Sequence, residues 1–554
     1  MSTHQTHVAV IGAGLAGLAT AALLAKNGLT VDLFEKNEDL GGRCGLWERD
    51  GYLFDTGPSW YLMPEVFDKF FHDVGTSTGE QIDLTTLTPG YRVFAENHPV
   101  PVDVTSGQAE ELFDSLEAGG GKKLRAYLDS ASRTYKLALD HFLYTDFRAI
   151  GPFLDKKIVS RVGELPTLLG TSLNSFVTKR FSHPVLRQIL GYHAVFLGTS
   201  PDRAPAMYHL MSHLDLVDGV KYPQGGFITI INAIEQVALD LGVTIHRGSP
   251  VTRIVTADAR PTQSTHGLRG KAGERIAALT GKRTKHVIGL ETERDGERTF
   301  HKADLVVGAS DLHHLETQLL DPEEQSFPQS YWDKKDPGPG SVLVHLGVRG
   351  ELPELTHHNL FFVKDWDANF DAIYGKNKHL PNPASLYVCK PSATDSAVAP
   401  EGHENVFILV PVPADPTIGS GGENGIGDPT VELAADAAID QVATWAGIPD
   451  LRERIVLRKT VGPADFVNDV NAWSGGALGP AHTLAQSAMF RTTNRSKKID
   501  GLWYAGGSTI PGIGLPMCLI SADITARGIL HEVQPGTPAP TGPTFPLPHD
   551  TASA

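Results

Sequence analysis

Apolar and polar positions follow different rhythms in different stretches of the chain. Val8-Ala9-Val10-Ile11 is a continuous apolar run of the kind carried by a strand buried on both faces, and the Ala/Leu-rich stretch to Leu24 reads as a helix packed on it. A second strand follows at Thr30-Val31-Asp32-Leu33-Phe34. The strand signal returns at Val243–His246, at Ala303–Ser310 and from Leu502, the last leading into a helix-like run to Leu530. Between these stretches the pattern changes. Glu65–Phe71 has amphipathic helical spacing, helical segments dominate from about 96 to 224, Ile228–Leu241 reads as a helix, and Ser341–Val348 alternates like a half-buried strand.

At 554 residues the chain exceeds one core, so two domains are expected. The pattern assigns 1–95, 222–310 and 490–533 to a discontinuous cofactor domain, and 96–221 with 311–489 to a substrate domain. An Arg/Lys/Gly/Thr-rich loop, 257–285, interrupts the strands Val251–Val255 and His286–Leu290; it reads as solvated, with contact to anionic lipid headgroups as the alternative. The Pro/Gly/Thr-rich tail, 534–554, is expected to be disordered.

Hydrophobic residues at 41% and charged residues at 20% fit a folded globular protein, and a net charge of −16 argues against a nucleic-acid partner. Three widely spaced cysteines form neither a disulfide framework nor a metal spacing, which suits a reducing cytoplasm. His313-His314-x-Glu316 is rejected as a metal site because adjacent histidines on a helix diverge, and no metal is expected. The first residues lack the charge of a signal peptide, and glycines break the apolar run Val8–Ala25. Membrane contact is therefore expected to be peripheral, at the cytoplasmic face.

The chemistry gathers at glycines. Gly12-x-Gly14-x-x-Gly17 links the first strand to its helix: the first glycine permits the turn, the second lets a pyrophosphate approach, and the third lets the helix sit close. Glu35 ends the second strand, about 20 residues on, where an acid accepts from a ribose hydroxyl. Together these predict dinucleotide binding, without a 2′-phosphate. Gly41-Gly42-Arg43 follows and reads either as a second cofactor turn, with Arg43 offering fixed charge, or as an ordinary surface turn. Near the C-terminus, Gly506-Gly507-Ser508-Thr509-Ile510-Pro511-Gly512-Ile513-Gly514-Leu515-Pro516 is a glycine-rich loop opening a helix, with Pro516 suited to the first turn.

Glu35-x5-Gly-Gly-Arg, followed by Phe54-Asp55-Thr56-Gly57-Pro58-Ser59, resembles the flavin amine oxidase superfamily. With Tyr222-Pro223-Gln224-Gly225-Gly226 and the C-terminal loop, almost the whole chain is similar to the bacterial-type phytoene desaturases of carotenoid synthesis. Two departures stand out: Gly506-Gly507-Ser508-Thr509-Ile510 replaces the usual Gly-Ala-Gly-Thr-His, and Gly514-Leu515-Pro516-Met517 replaces Gly-Ile-Pro-Gly. The resemblance implies an α/β fold in which a Rossmann-type FAD-binding domain is interleaved with an α+β substrate domain. It places Gly41, Gly42 and Arg43 beside FAD and makes Val251 the position that packs on adenine, although a plain strand valine reads nearly as well. The helix behind Gly506, Gly507, Gly514 and Pro516 would then face the flavin and stabilise negative charge developing there.

The activity implied is FAD-dependent desaturation of a C40 precursor, phytoene towards lycopene, by hydride transfer to flavin, with oxygen or a quinone as electron acceptor. The protein would supply a dry tunnel and orientation. Asp146 is the candidate base and Arg148 its electrostatic partner. The insoluble polyisoprenoid would be taken from a membrane through apolar segments such as Trp60–Met63 or 142–154. Rival readings are a carotenoid isomerase or ketolase, a later-step carotenoid desaturase, a flavin amine oxidase and a non-enzymatic prenyl-binding escort protein.

Overall fold

The computed structural model describes residues 5–147, 165–258, 285–534, 536 and 537. Five strands form a wholly parallel sheet in the order Leu502–Tyr504, Leu305–Gly308, His7–Ile11, Thr30–Phe34, Thr244–His246. Its strands are apolar because both faces are covered. Helices Leu15–Lys26, Ile228–Asp240 and Leu515–Val533 pack on one face; Leu15–Leu24 is buried throughout, which explains why it shows little amphipathic rhythm. On the other face, Ile254, Val287 and Leu290 of the antiparallel strands Val251–Asp258 and Lys285–Arg294 meet Ala9, Ile11 and Val306. Asp258 and Lys285 are paired, so the 257–285 segment leaves and rejoins the protein at adjacent points, with 259–284 outside the described residues.

A seven-stranded sheet runs in the order Ile455–Val461, Pro339–Arg349, His403–Pro413, Leu386–Cys389, His358–Phe362, Tyr91–Ala95, His98–Val104. It is antiparallel except where Tyr91–Ala95 lies parallel to 359–362. Helix Pro429–Ala446 covers one face through Val431, Ala435, Ile439 and Val442. Tyr91–Ala95, at the end of the expected 1–95 segment, is a strand of this sheet. The pairing partner lies more than 260 residues away in the chain, where no local pattern announces it.

The helices between 109 and 218 form a third cluster around Phe113, Tyr127, Phe176 and Leu186. Among the described residues no helix is long and apolar enough to cross a membrane. Trp60–Met63 is not a surface anchor. Tyr61 and Met63 are buried, Tyr61 pairs with Lys221 through its backbone, and Trp60 stacks on His358, because this segment bridges two cores.

Candidate active site

The N-terminal turn shows why its glycines are required. Gly12 has φ +99°, and a Cβ on Gly17 would stand 1.9 Å from the Gly12 carbonyl oxygen, so any side chain there pushes the helix off the turn. The buried Glu35 carboxylate accepts from Ala13 N at 2.7 Å and Asn37 N at 3.0 Å. It thus closes the end of the second strand against the first turn and retains lone pairs for a ribose.

The Gly-Gly-Arg turn packs directly on the fingerprint. Gly41 N donates to Ala13 O at 3.0 Å, Gly14 and Gly41 pair as an isolated bridge, and a Cβ on Gly42 would lie 3.6 Å from Gly14 Cα. Two turns without side chains therefore face one another. Arg43 Nη2 stands 3.6 Å from Asp311 Oδ2, and Asp311 caps the helix Leu312–Gln318 by accepting from His313 N at 3.0 Å. Arg43 Nε and Ser310 Oγ are buried without a partner, and Ser310 adjoins Gly12. A bare glycine cradle flanked by unused donors and a fixed cation fits a pyrophosphate-linked dinucleotide such as FAD.

The C-terminal loop meets this cradle. A Cβ on Gly506 would lie 3.5 Å from Ala16 Cβ, and Gly506 N donates to Ser521 Oγ at 3.0 Å. Gly514, with φ +113°, precedes helix Leu515–Val533, and Pro516 occupies its first turn. Burial pushes the Cys518 thiol up to about 11, while the positive charge of Arg43 and the Gly507 backbone pull it back, which places this helix start near the Gly-Gly-Arg turn. Gly12, Gly14, Gly17, Glu35, Gly41, Gly42, Arg43, Gly506, Gly507, Gly514 and Pro516 thus lie around one cradle. Val251 is half-buried at the Glu35 end, two residues beyond Ser249, whose N–H donates to Glu35 O at 2.7 Å.

Asp146 is half-buried two residues after Tyr144, whose carbonyl accepts from Arg527 Nη2 at 3.1 Å. Arg527 lies 12 residues along the helix from Leu515, about 18 Å at helical rise. Arg148 lies outside the described residues, as do 149–154 of the second candidate membrane segment.

One residue with a clear structural role carried no sequence signal. Arg491 is buried and donates to the carbonyls of Thr509 (2.9 Å), Gly507 (2.5 Å), Gln486 (3.1 Å) and Pro480 (3.2 Å), so it fixes the C-terminal loop from behind. Burial lowers its pKa to about 10, which still leaves it charged at neutral pH. Beside it, His482 Nε2 accepts from Ile513 N at 3.2 Å and Nδ1 meets Tyr208 Oη at 2.8 Å.

On the seven-stranded sheet, His358, Tyr387 and Cys389 share one face with Ser59. Tyr387 Oη lies 2.7 Å from both Ser59 Oγ and His358 Nδ1, and Trp60 stacks on His358 at 4.5 Å between ring centroids. His357, His358 and Cys389 offer three ligating atoms within 4.8 Å of one another. Cys389 Sγ is 3.8 Å from the same Nδ1 that Tyr387 already holds, so the group is organised as a hydrogen-bonded cluster. Glu316 of the rejected His-His-x-Glu pattern is tied to Tyr504 Oη and Phe327 N, and His313 to Gln329.

The family described as flavin containing amine oxidoreductase matches residues 15–530. A carotenoid 3,4-desaturase of Haloarcula japonica is 38% identical over 528 residues, covering 95% of this chain and 98% of its own length. A zeta-carotene-forming phytoene desaturase of Myxococcus xanthus is 30% identical, with coverage of 96% and 95%. Among solved structures, an oxidoreductase from Methanosarcina mazei aligns with a TM-score of 0.57 at 17% identity, covering 93% of this chain and 99% of its own. Putrescine oxidase bound to putrescine gives 0.54 at 14% identity, covering 95% and 99%. At these identities the two structures speak for the fold alone.

Proposed function

The chain belongs to the flavin-containing amine oxidoreductase family and is an FAD-dependent oxidoreductase, and from that premise we propose that it desaturates carotenoids. The observation that carries this reading is the near end-to-end match to two relatives named as carotenoid desaturases. Identity of 38% against 30% supports a later-step polyene, with its 3,4 bond still saturated, ahead of phoytene's first desaturation towards lycopene as the substrate.

FAD held in this cradle would supply the two-electron acceptor for a hydride from an allylic carbon. The protein's own part is binding and orientation. Glu35 and the two glycine turns hold the dinucleotide, Arg43 and the start of the 515–533 helix set positive potential beside it, and Arg491 keeps the intervening loop in place. Half-buried apolar side chains from separate segments, Leu62, Leu143, Leu210, Leu515 and Met517, pack on the same core and suit a long hydrocarbon.

A substrate of this class partitions into lipid, so reversible membrane contact is part of the proposal. With Tyr61 and Met63 buried and Trp60 stacked on His358, the exposed large apolar side chains Leu484, Met489 and Phe490 are the better candidates for that contact. The test of function is anaerobic incubation of FAD-loaded protein with liposomes carrying either phytoene or a conjugated carotenoid saturated at its 3,4 bond. Polyene absorbance that moves to longer wavelength as the flavin bleaches supports the proposal, and the responding substrate names the step. Flavin that stays oxidised with both sinks it.

A further inference from the structure

Removing a hydride from an allylic carbon leaves a cation that must still lose a proton, and the cradle described above contains no group assigned to take it. The seven-stranded sheet does. Ser59 Oγ, Tyr387 Oη and His358 Nδ1 form an unbroken chain with both links at 2.7 Å. The chain starts beside the cofactor turn: a Cβ on Gly57 would stand 2.2 Å from the Arg43 carbonyl oxygen, and Ser59 is two residues further, within about 7 Å of extended backbone. It ends in the interior, where His358 is buried and its Nε2 has no partner. Ser59 and Tyr387 are half-buried and His358 fully buried, so the chain runs from a partly accessible end to a closed one.

We propose that Ser59, Tyr387 and His358 form the proton exit of the desaturation, with Ser59 touching the substrate and Tyr387 and His358 relaying behind it. This rests on the carotenoid desaturase reading. As the hydride leaves one carbon, the electron pair of the neighbouring C–H bond becomes the new π bond. The proton from that bond goes to Ser59 Oγ, the serine's own proton moves to Tyr387 Oη, and the tyrosine's proton moves to His358 Nδ1. Both hydroxyls end as they began, and the neutral imidazole becomes an imidazolium. Two electrons and one hydrogen have left as hydride and one proton rests on the histidine, so the step balances without a further reactant.

The direction of transfer follows from the environment. Burial, reinforced by the charge His357 would carry, holds His358 well below the ordinary histidine range, so it waits unprotonated. A weak base is sufficient, because an allylic carbocation is a far stronger acid than an imidazolium. With Nδ1 accepting from Tyr387, the ring proton sits on Nε2, the tautomer this chain requires.

The test compares FAD-loaded wild-type protein with Ser59→Ala, Tyr387→Phe and His358→Gln, and with the Tyr387→Phe/His358→Gln double variant, on whichever polyene the wild type converts. Each single change is expected to lower kcat by about 10²-fold with KM nearly unchanged, and to abolish the solvent deuterium effect on turnover. The double variant is expected to be no slower than either single, as for links of one chain. Flavin content, flavin spectrum and melting midpoint should stay at wild-type values. Turnover of Tyr387→Phe within about threefold of wild type, losses that multiply in the double variant, or losses that track flavin content would each overturn the relay. A wild type inert on both polyenes would instead overturn the desaturase reading on which it rests.

Discussion

The two sheets carry functional groups of opposite construction. On the parallel sheet the site is made of backbone, with Gly12, Gly14, Gly41, Gly42 and Gly506 as bare surfaces, N–H groups as ligands, and Glu35 and Arg43 as the charged side chains beside it. On the seven-stranded sheet it is made of side chains, a serine, a tyrosine and a histidine drawn from positions 59, 387 and 358 and set among aromatic rings. A dinucleotide is bulky and charged, and many N–H groups recognise it at once. A proton needs two or three well-placed atoms and little else. The first kind of site should therefore fail abruptly when a backbone surface is filled, and the second should fail in rate while binding survives.

The largest effect is expected of Gly17→Ala. A methyl group 1.9 Å from the Gly12 carbonyl cannot be accommodated without moving the helix that opens at this glycine turn. The expected outcome is loss of flavin binding by more than about 100-fold, or failure to fold, because the two segments form the centre of the sheet. Flavin absorbance of the purified variant checks this, and near-normal flavin content would show that the backbone cradle tolerates what its geometry forbids.

Next in size is Arg491→Met, which keeps length and apolar stem but removes every donor. Four carbonyl oxygens lose their partner, two of them in the C-terminal loop. A stability loss of about 3 kcal/mol is expected from stranding buried acceptors, with flavin dissociating roughly tenfold or more faster. Denaturant unfolding and flavin release measure the two effects. Glu35→Ala should cost less overall, about 1–3 kcal/mol, since only the N–H groups of Ala13 and Asn37 lose an acceptor. Its flavin should nevertheless dissociate faster by at least the factor seen for Arg491→Met if Glu35 binds the ribose as proposed. The reverse order would move the weight of cofactor binding from the fingerprint to the C-terminal loop.

The same contrast explains what could be read from the chain. Gly12, Gly14, Gly17 and Glu35 stand within one strand-helix-strand unit at fixed spacing, so local pattern and chemistry point the same way. Gly506 and Gly514 were legible because a glycine-rich loop before a helix has few other uses. Tyr91–Ala95 could not be assigned to its sheet, since its edge is defined by 359–362. Arg491 looked like any surface cation, because a side chain whose partners are carbonyl oxygens leaves no matching acid in the sequence. Ser59, His358 and Tyr387 have no sequence spacing at all; the fold alone brings them together. Trp60–Met63 misled for a related reason: an apolar aromatic run reads alike whether it covers a membrane surface or joins two cores.

The most gradual effect expected, spread over several pH units, concerns two buried titratable groups, one at the edge of each region. His345, in the strand Pro339–Arg349, is pushed down to about 3 by burial, and Asp55, whose carboxylate accepts from Phe227 N and Ile228 N, is pushed up to about 7, again chiefly by burial. For His345 the unfolded chain binds the proton more readily than the folded one between about pH 6.5 and 3, so its contribution to stability is complete above that window and is lost as pH falls through it. For Asp55 the folded state holds the proton more tightly, so its contribution is present at low pH and is lost as pH rises from about 4 to 7. Between pH 4 and 6.5 the two slopes oppose each other. His345→Phe, which keeps a ring against Trp47, Phe54 and Phe407, removes one of them. Unfolding free energy measured across this range should then fall less steeply on acidification, by up to about 1.4 kcal/mol per pH unit where the histidine would have titrated. An unchanged pH slope would mean that His345 titrates alike folded and unfolded, and that this part of the side-chain region is wetter than the backbone region it faces.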